Sequence, residues 1–181
     1  MDAFENIISQ LLQEDGFWVL QSVKVDLNKE EKISISKPTT PRPEIDIIAY
    51  SCKENLLFLI EAKSYIDSLG VQKNDLVLEH DIQEGRYKLL TSKIYRDVVS
   101  KRLKTDFIEK GFINKNTKIH FGLIAGKIHK NEYLEIKKIF DKKKWLFWGP
   151  EDIKQKLINL SKKGYEDNSV TMTAKLLLKN K

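Results

Sequence analysis

The stretch EIDIIAYSCKENLLFLIEAK (Glu44–Lys63) decides the fold. Its two apolar, β-branched halves, Glu44–Tyr50 and Leu56–Lys63, are separated by the polar turn SCKEN, so they predict two neighbouring strands. Each strand carries an acid inside an apolar pattern, Asp46 among isoleucines and Glu61 directly after LLFLI. Ionised groups at the end of a buried strand cost free energy unless they are paired or bind a cation. These two acids are therefore the first candidates for chemistry.

The regions on either side of this hairpin predict alternating helices and strands. Helical spacing of apolar residues predicts a helix over 2–15, and FWVLQSVKVDL and KISIS read as strands after it. A helical region is expected from about 80 to 110, interrupted near 90–92, before a buried strand at 118–125. A helix, the short strand WLFWG and two more helices are expected to follow.

This order of elements predicts the fold class and the domain organisation. We expect an α/β fold with a mixed central β-sheet flanked by helices. Because neither an internal repeat nor a linker interrupts the pattern, residues 1–181 are expected to form a single domain. Its core is expected to cover 1–125, and a C-terminal strand-helix extension to cover 126–181.

Composition narrows the class of protein without deciding its function. The chain has 181 residues, of which 41% are hydrophobic, so it can bury a core and is not wholly disordered. The single cysteine, Cys52, excludes an intramolecular disulfide and a cysteine-based zinc site. The longest apolar run, Leu56–Ile60, is too short to span a membrane, and the N-terminus lacks a signal pattern, so a cytoplasmic protein is expected. The formal net charge of +6 is a modest excess that favours polyanions.

The spacing of the hairpin predicts which charged side chains meet. Strand side chains alternate, so Glu61 and Lys63 lie on the same face. If the turn has an even number of residues, Asp46 falls opposite Glu61 and Glu44 falls opposite Lys63. This register brings two carboxylates and an ammonium close together.

Two clustered carboxylates suit a hard divalent cation such as Mg²⁺, and the backbone carbonyl of Ala62 would add a third oxygen. A lysine beside the cation, Lys63, can orient or help to deprotonate a metal-bound water. Together these groups suit metal-dependent hydrolysis of a phosphodiester. The competing interpretation is a surface salt bridge, because an E-x-K triplet is common by chance.

The pattern EIDIIAY followed by LLFLIEAKSY resembles the PD-(D/E)XK nuclease superfamily, whose restriction-endonuclease-like fold includes Holliday-junction resolvases and Mrr-type restriction enzymes. The motif of that superfamily maps onto Asp46 and onto Glu61-Ala62-Lys63. Glu44-Ile45 stand where other branches have a proline, as in the resolvase-like branch. The resemblance implies cleavage of DNA with Mg²⁺, for which Mn²⁺ would be a substitute.

The resemblance also suggests accessory residues. Glu5, on the first helix, corresponds to a glutamate that completes the metal site in that superfamily, although the helix dipole alone favours an acid there. Gln83 and Tyr87 resemble a pair that follows the lysine in some of these nucleases, although a tyrosine is more often a packing residue.

DNA, double-stranded in the simplest case, is the expected partner. Arg86, Lys93 and Arg96 are candidates for phosphate contacts, although a solvated helix face explains such residues equally well. Cleavage of both strands needs two sites, which a homodimer would provide, but the sequence shows no interface. Two alternatives stay open: a catalytically silent DNA-binding or assembly subunit with the same fold, and an interaction domain whose acid pair is structural.

Overall fold

The computed structural model describes residues 2–39, 41–77 and 86–179. These residues form a five-stranded mixed sheet with helices on both sides, which confirms the expected α/β class. In chain order the elements are α1 (Ala3–Glu14), β1 (Trp18–Lys24), α2 (Lys29–Ser34), β2 (Glu44–Ser51), β3 (Leu56–Lys63), α3 (Asn74–Val77), α4 (Lys88–Thr91), α5 (Lys93–Glu109), β4 (Lys118–Ala125), α6 (Tyr133–Lys143), β5 (Leu146–Trp148), α7 (Pro150–Ser161) and α8 (Ser169–Leu178).

The strands lie in the sheet in their order along the chain. Strands β1, β2 and β3 form an antiparallel meander, whereas β4 and β5 continue the sheet in parallel with β3. The crossover from β3 to β4 includes α4 and α5, and α6 connects β4 to β5, because parallel neighbours need such long connections. Strand β5 belongs to the expected C-terminal extension, so the extension completes the same sheet.

One expected strand is wrong. The isoleucines of KISIS (residues 32–36) predict a strand, but residues 29–34 form α2. The Asn28 side chain accepts a hydrogen bond from the Glu31 amide, and the Glu31 carboxylate accepts one from the Asn28 amide. This capping box starts a helix and outweighs the β-branched composition that follows it.

Two layers of apolar side chains cover the sheet. On the side that we call the α1 side, residues from α1, the sheet, α7 and α8 pack together, among them Phe4, Ile47, Leu160 and Ala174. On the other side, the α5 side, residues of β2 and β3 pack against α4 and α5, and α6 covers β4 and β5. The residues of the extension therefore share a core with the first helix of the chain.

The break between α4 and α5 occurs at Ser92, where the sequence predicts an interruption. Ser92 has extended backbone angles, and its hydroxyl accepts a hydrogen bond from the Tyr95 amide, so it caps α5. The two helices can therefore approach the end of β3 in different directions. Among the described residues, no helix combines the length and apolar character that crossing a bilayer requires.

Candidate active site

The β2–β3 hairpin has the register that the sequence predicts. Four residues, 52–55, separate the pair Ser51↔Leu56, and the ladder continues to Ile47↔Ile60. The next pair in this register would be Asp46 and Glu61, and the paired strands end just before it. The two acids therefore stand opposite each other where β2 and β3 begin to separate.

Lys63 joins the two acids into one cluster. Its ammonium Nζ lies 2.9 Å from Asp46 Oδ2 and 2.7 Å from Glu61 Oε1. The backbone N–H of Ala62 also donates to Asp46 Oδ2, at 2.9 Å. The three charged side chains are mostly buried, with exposed fractions of 16–23%. The structure thus brings together Asp46, Glu61 and Lys63 on the α5 side of the sheet.

Glu44 does not join this cluster. Although the register would place it opposite Lys63, its carboxylate lies 4.0 Å from the ammonium of Lys24 on β1, and both side chains are about half exposed. Glu44 therefore forms its ion pair with Lys24, and Lys63 turns toward the two buried acids, where an uncompensated charge would cost most.

The acids and the lysine change one another's pKa. Burial, reinforced by the negative charge of Asp46, raises the pKa of Glu61 to about 7 despite the opposing effect of Lys63. For Lys63, burial acts to lower the pKa, but the ion pairs with Glu61 and Asp46 outweigh it and raise the pKa above its usual value. With both acids ionised, one ammonium faces two carboxylates, so the site has an excess of negative charge that favours a cation.

A polar cleft of about 160 Å³ opens in front of the acids. Its lining also includes Glu44 of β2, Arg86 just before α4, Lys88 at the start of α4 and Tyr95 of α5. Burial, followed by the charges of Glu61 and Asp46, raises the pKa of Tyr95 to about 12, so its hydroxyl stays protonated at neutral pH. Lys88 and Tyr95 were not identified as site residues from the sequence. The sequence marks these two residues only by their position in the basic helical region. That position does not show which face of the helices meets the sheet.

The three residues predicted to contact phosphate lie in different environments in the structure. Arg86 lines the cleft, whereas Lys93 is exposed on α5 and pairs with Asp97. Arg96 is buried and donates to the carbonyl of Leu90, and its guanidinium also lies 5.0 Å from the centre of the Trp145 ring. The expectation that Arg96 contacts phosphate is therefore wrong, because it serves the packing between α5 and the sheet.

Glu5 lies on the α1 side, near the site but apart from the cluster. Its Oε2 accepts a hydrogen bond of 3.3 Å from the Ser22 hydroxyl. Burial, and then the negative charge of Asp46, raises the pKa of Glu5. Glu5 is thus close enough to Asp46 to interact with it through charge, while β1 supplies its hydrogen-bond partner.

Of the Q-x-x-x-Y pair, the structure describes only Tyr87. Gln83 lies outside the described residues. Tyr87 precedes α4 and is buried with Val71 and Leu76, and its burial, followed by a hydrogen bond with Tyr65, raises its pKa. Tyr87 therefore packs beneath the cleft wall.

The donor set fits a hard cation such as Mg²⁺. The Lys63 carbonyl accepts from the Gly126 amide toward β4, and carbonyls alternate along a strand, so the Ala62 carbonyl faces β2 and Asp46. Asp46, Glu61 and this carbonyl offer oxygen ligands only. Within residues 2–39, 41–77 and 86–179 there is no group of three or more His, Cys, Asp or Glu side chains that could hold a metal. Two carboxylates are nevertheless enough for Mg²⁺, which usually keeps several waters.

Comparison of the chain with protein-family models, with curated proteins and with solved structures gives no match. The resemblance to PD-(D/E)XK nucleases therefore stays a prediction from the motif residues.

Proposed function

We propose that the protein is a metal-dependent DNA endonuclease of restriction-endonuclease-like fold. The observation that carries this proposal is the convergence of Asp46 and Glu61, from adjacent strands, on the ammonium of Lys63. A helix that carries a carboxylate, Glu5, precedes these strands, as the resemblance implies. The polar cleft gives a substrate access to Asp46 and Glu61, both of which contact Lys63.

Each member of the cluster has a distinct role in this proposal. Asp46, Glu61 and the Ala62 carbonyl would hold Mg²⁺ or Mn²⁺, which when bound supplies Lewis-acid activation of water and charge neutralisation. Lys63 keeps its proton at neutral pH, so it acts as a hydrogen-bond donor that orients the attacking water and neutralises charge. The buried position of the acids keeps bulk water from weakening these interactions.

The basic residues of the cleft would hold the DNA backbone. Arg86 and Lys88 line the same cleft as Asp46 and Glu61, so they can contact a phosphate whose phosphorus lies near the cluster. The protonated hydroxyl of Tyr95 adds a neutral donor in the same cleft. This arrangement pairs basic groups for the substrate with acidic groups for the cation.

Cleavage of supercoiled plasmid in Mg²⁺ tests the proposal. We expect nicked or linear products from the wild type, and a loss of about 10²-fold or more in rate for D46A and K63A. Two matched controls lie in the hairpin turn, K53A and E54Q, and should retain wild-type rates because both side chains are exposed and far from the cleft. Cleavage that survives D46A, or that chelator leaves unchanged, would contradict the proposal.

A catalytically silent DNA-binding subunit is the second candidate. Among the described residues, no group of three or more His, Cys, Asp or Glu side chains could hold a metal, and this observation favours the second candidate. A silent subunit would retard duplex DNA in a salt-dependent way, with weaker binding in R86A and K88A, but would leave it uncut with either Mg²⁺ or Mn²⁺. Cleavage by the purified wild type excludes this second candidate.

A further inference from the structure

Strand β1 changes the side of the sheet to which its residues point. Val19 packs on the α1 side and Val23 on the α5 side, although residues four apart in a regular strand share a face. Gln21 still points to the α1 side, where its amide donates to the Ser9 hydroxyl. The change therefore occurs at Ser22.

Strand β2 changes sides at the facing residue. Ile45 packs on the α5 side and Ile47 on the α1 side, although residues two apart normally share a face. The β1–β2 pairs Gln21↔Ile47 and Val23↔Ile45 have the same register, and the pair between them, Ser22 with Asp46, is missing from the ladder. Both strands thus twist at a single pair without any slip in register.

Ser22 has the backbone conformation that produces this twist. Its φ of 50° lies in the left-handed region, which residues other than glycine rarely adopt. Its hydroxyl donates to Glu5 on α1, which holds the residue in place. Asp46 stands opposite Ser22 at the missing pair, and its carboxylate accepts hydrogen bonds from the Ala62 amide and the Lys63 ammonium of β3.

We propose that Ser22 is a positioning residue, whose left-handed backbone opens the β1–β2 ladder so that the Asp46 carboxylate takes the place of a strand acceptor for the Ala62 amide. Its importance for catalysis rests on the proposed function. Its effect on Asp46 does not, because the hydrogen bond between Ala62 and Asp46 can be followed without metal or DNA.

Amide hydrogen exchange of Ala62, measured by NMR, tests this inference. We expect S22G to exchange like the wild type, because glycine accepts a positive φ without strain. S22V disfavours that conformation and should speed the exchange of the Ala62 amide by about tenfold, as should D46A, which removes the acceptor. If S22V does not fold, S22T keeps the hydroxyl that donates to Glu5 while its β-branched side chain disfavours the positive φ, and it should give the same direction of change.

Ser36 provides the matched control. It is exposed, it has a φ of 52°, and it lies beyond α2, away from the site. S36V should therefore lower the free energy of unfolding as S22V does. Any change in the exchange rate of the Ala62 amide in S36V should be no larger than this loss of global stability explains. An unchanged Ala62 rate in folded S22V and S22T, or an equal change in S36V, would overturn the inference.

The two proposals fail in different ways. If wild-type protein cuts no DNA while S22V still releases the Ala62 amide, the nuclease proposal fails and the positioning role stands. If the wild type cuts DNA and S22V has normal exchange at Ala62, the positioning role fails alone.

Discussion

At the scale of single residues, Lys63 balances the charge of the candidate site. We expect K63M to lower the free energy of unfolding by about 3 kcal/mol at pH 8, because it leaves Asp46 and Glu61 buried without their ammonium. Urea denaturation without metal measures the effect. The exposed Lys53 gives the control K53M, which should change stability little.

A second substitution checks the cause of that loss. Adding D46N to K63M removes a buried carboxylate that K63M leaves without its ammonium, so the double variant should recover part of the lost stability. If the double variant is less stable than K63M, charge imbalance is not the reason.

The residue scale also shows what could be predicted. The meeting of Asp46 with Glu61 follows from strand alternation and an even turn, both readable in one short stretch. The burial of Arg96 depends on Trp145, which is distant in sequence, and the positive φ of Ser22 has no signature in an ordinary serine. Contacts set by remote packing were therefore missed.

At the scale of elements, the start of α6 is tied to the start of α7. The Tyr133 hydroxyl donates to Asp152, whose carboxylate also accepts the Gly149 amide that precedes α7. We expect Y133F to lower the free energy of unfolding by about 1 kcal/mol at neutral pH, since it removes one hydrogen bond. Urea denaturation at pH 7 measures this difference.

The same hydrogen bond predicts a pH dependence. Burial, and then the bond to Asp152, raises the pKa of Tyr133 from 10 to about 12. The unfolded chain therefore loses this proton first, so the stability that Tyr133 adds is complete below pH 10 and is lost as the pH rises through 12. The gap between wild type and Y133F should shrink over that window; a gap that stays constant from pH 9 to pH 12 would contradict the assignment.

The elements differ in how well the sequence predicts them. Helix α1 and strands β2, β3 and β4 follow from their apolar periodicity, because each buries one continuous face or both. Helix α2 was missed although the capping box of Asn28 and Glu31 was visible, since its own side chains are not buried and give no periodic signal. The hydrogen bonds of the capping box, and not the burial of apolar side chains, therefore account for this helix.

At the scale of the whole molecule, the C-terminal third completes the core. Ile153, Leu160, Val170 and Ala174 pack on the α1 side against Ile8 and its neighbours. Burial of each of the three larger side chains, Ile153, Leu160 and Val170, contributes about 2 kcal/mol, and their sum is comparable to the net stability of a domain. A chain cut after Ala125 should therefore show no cooperative thermal unfolding by circular dichroism.

A shorter deletion tests how much α8 alone contributes to thermal stability. Ending the chain at Asp167 removes α8 alone, so it should lower the melting temperature but keep a cooperative transition. A cooperative transition in the 1–125 fragment would mean that the extension is dispensable for folding, contrary to the shared core.

The core on the α1 side joins Phe4 in the first helix to Ala174 in the last, so its contacts close loops of nearly the whole chain. Contacts between such distant segments slow folding, because the entropy of loop closure must be lost before they form. On the ribosome, the first helix therefore cannot complete its packing until Ala174 has been synthesised, and part of its apolar face is exposed to chaperones during that interval.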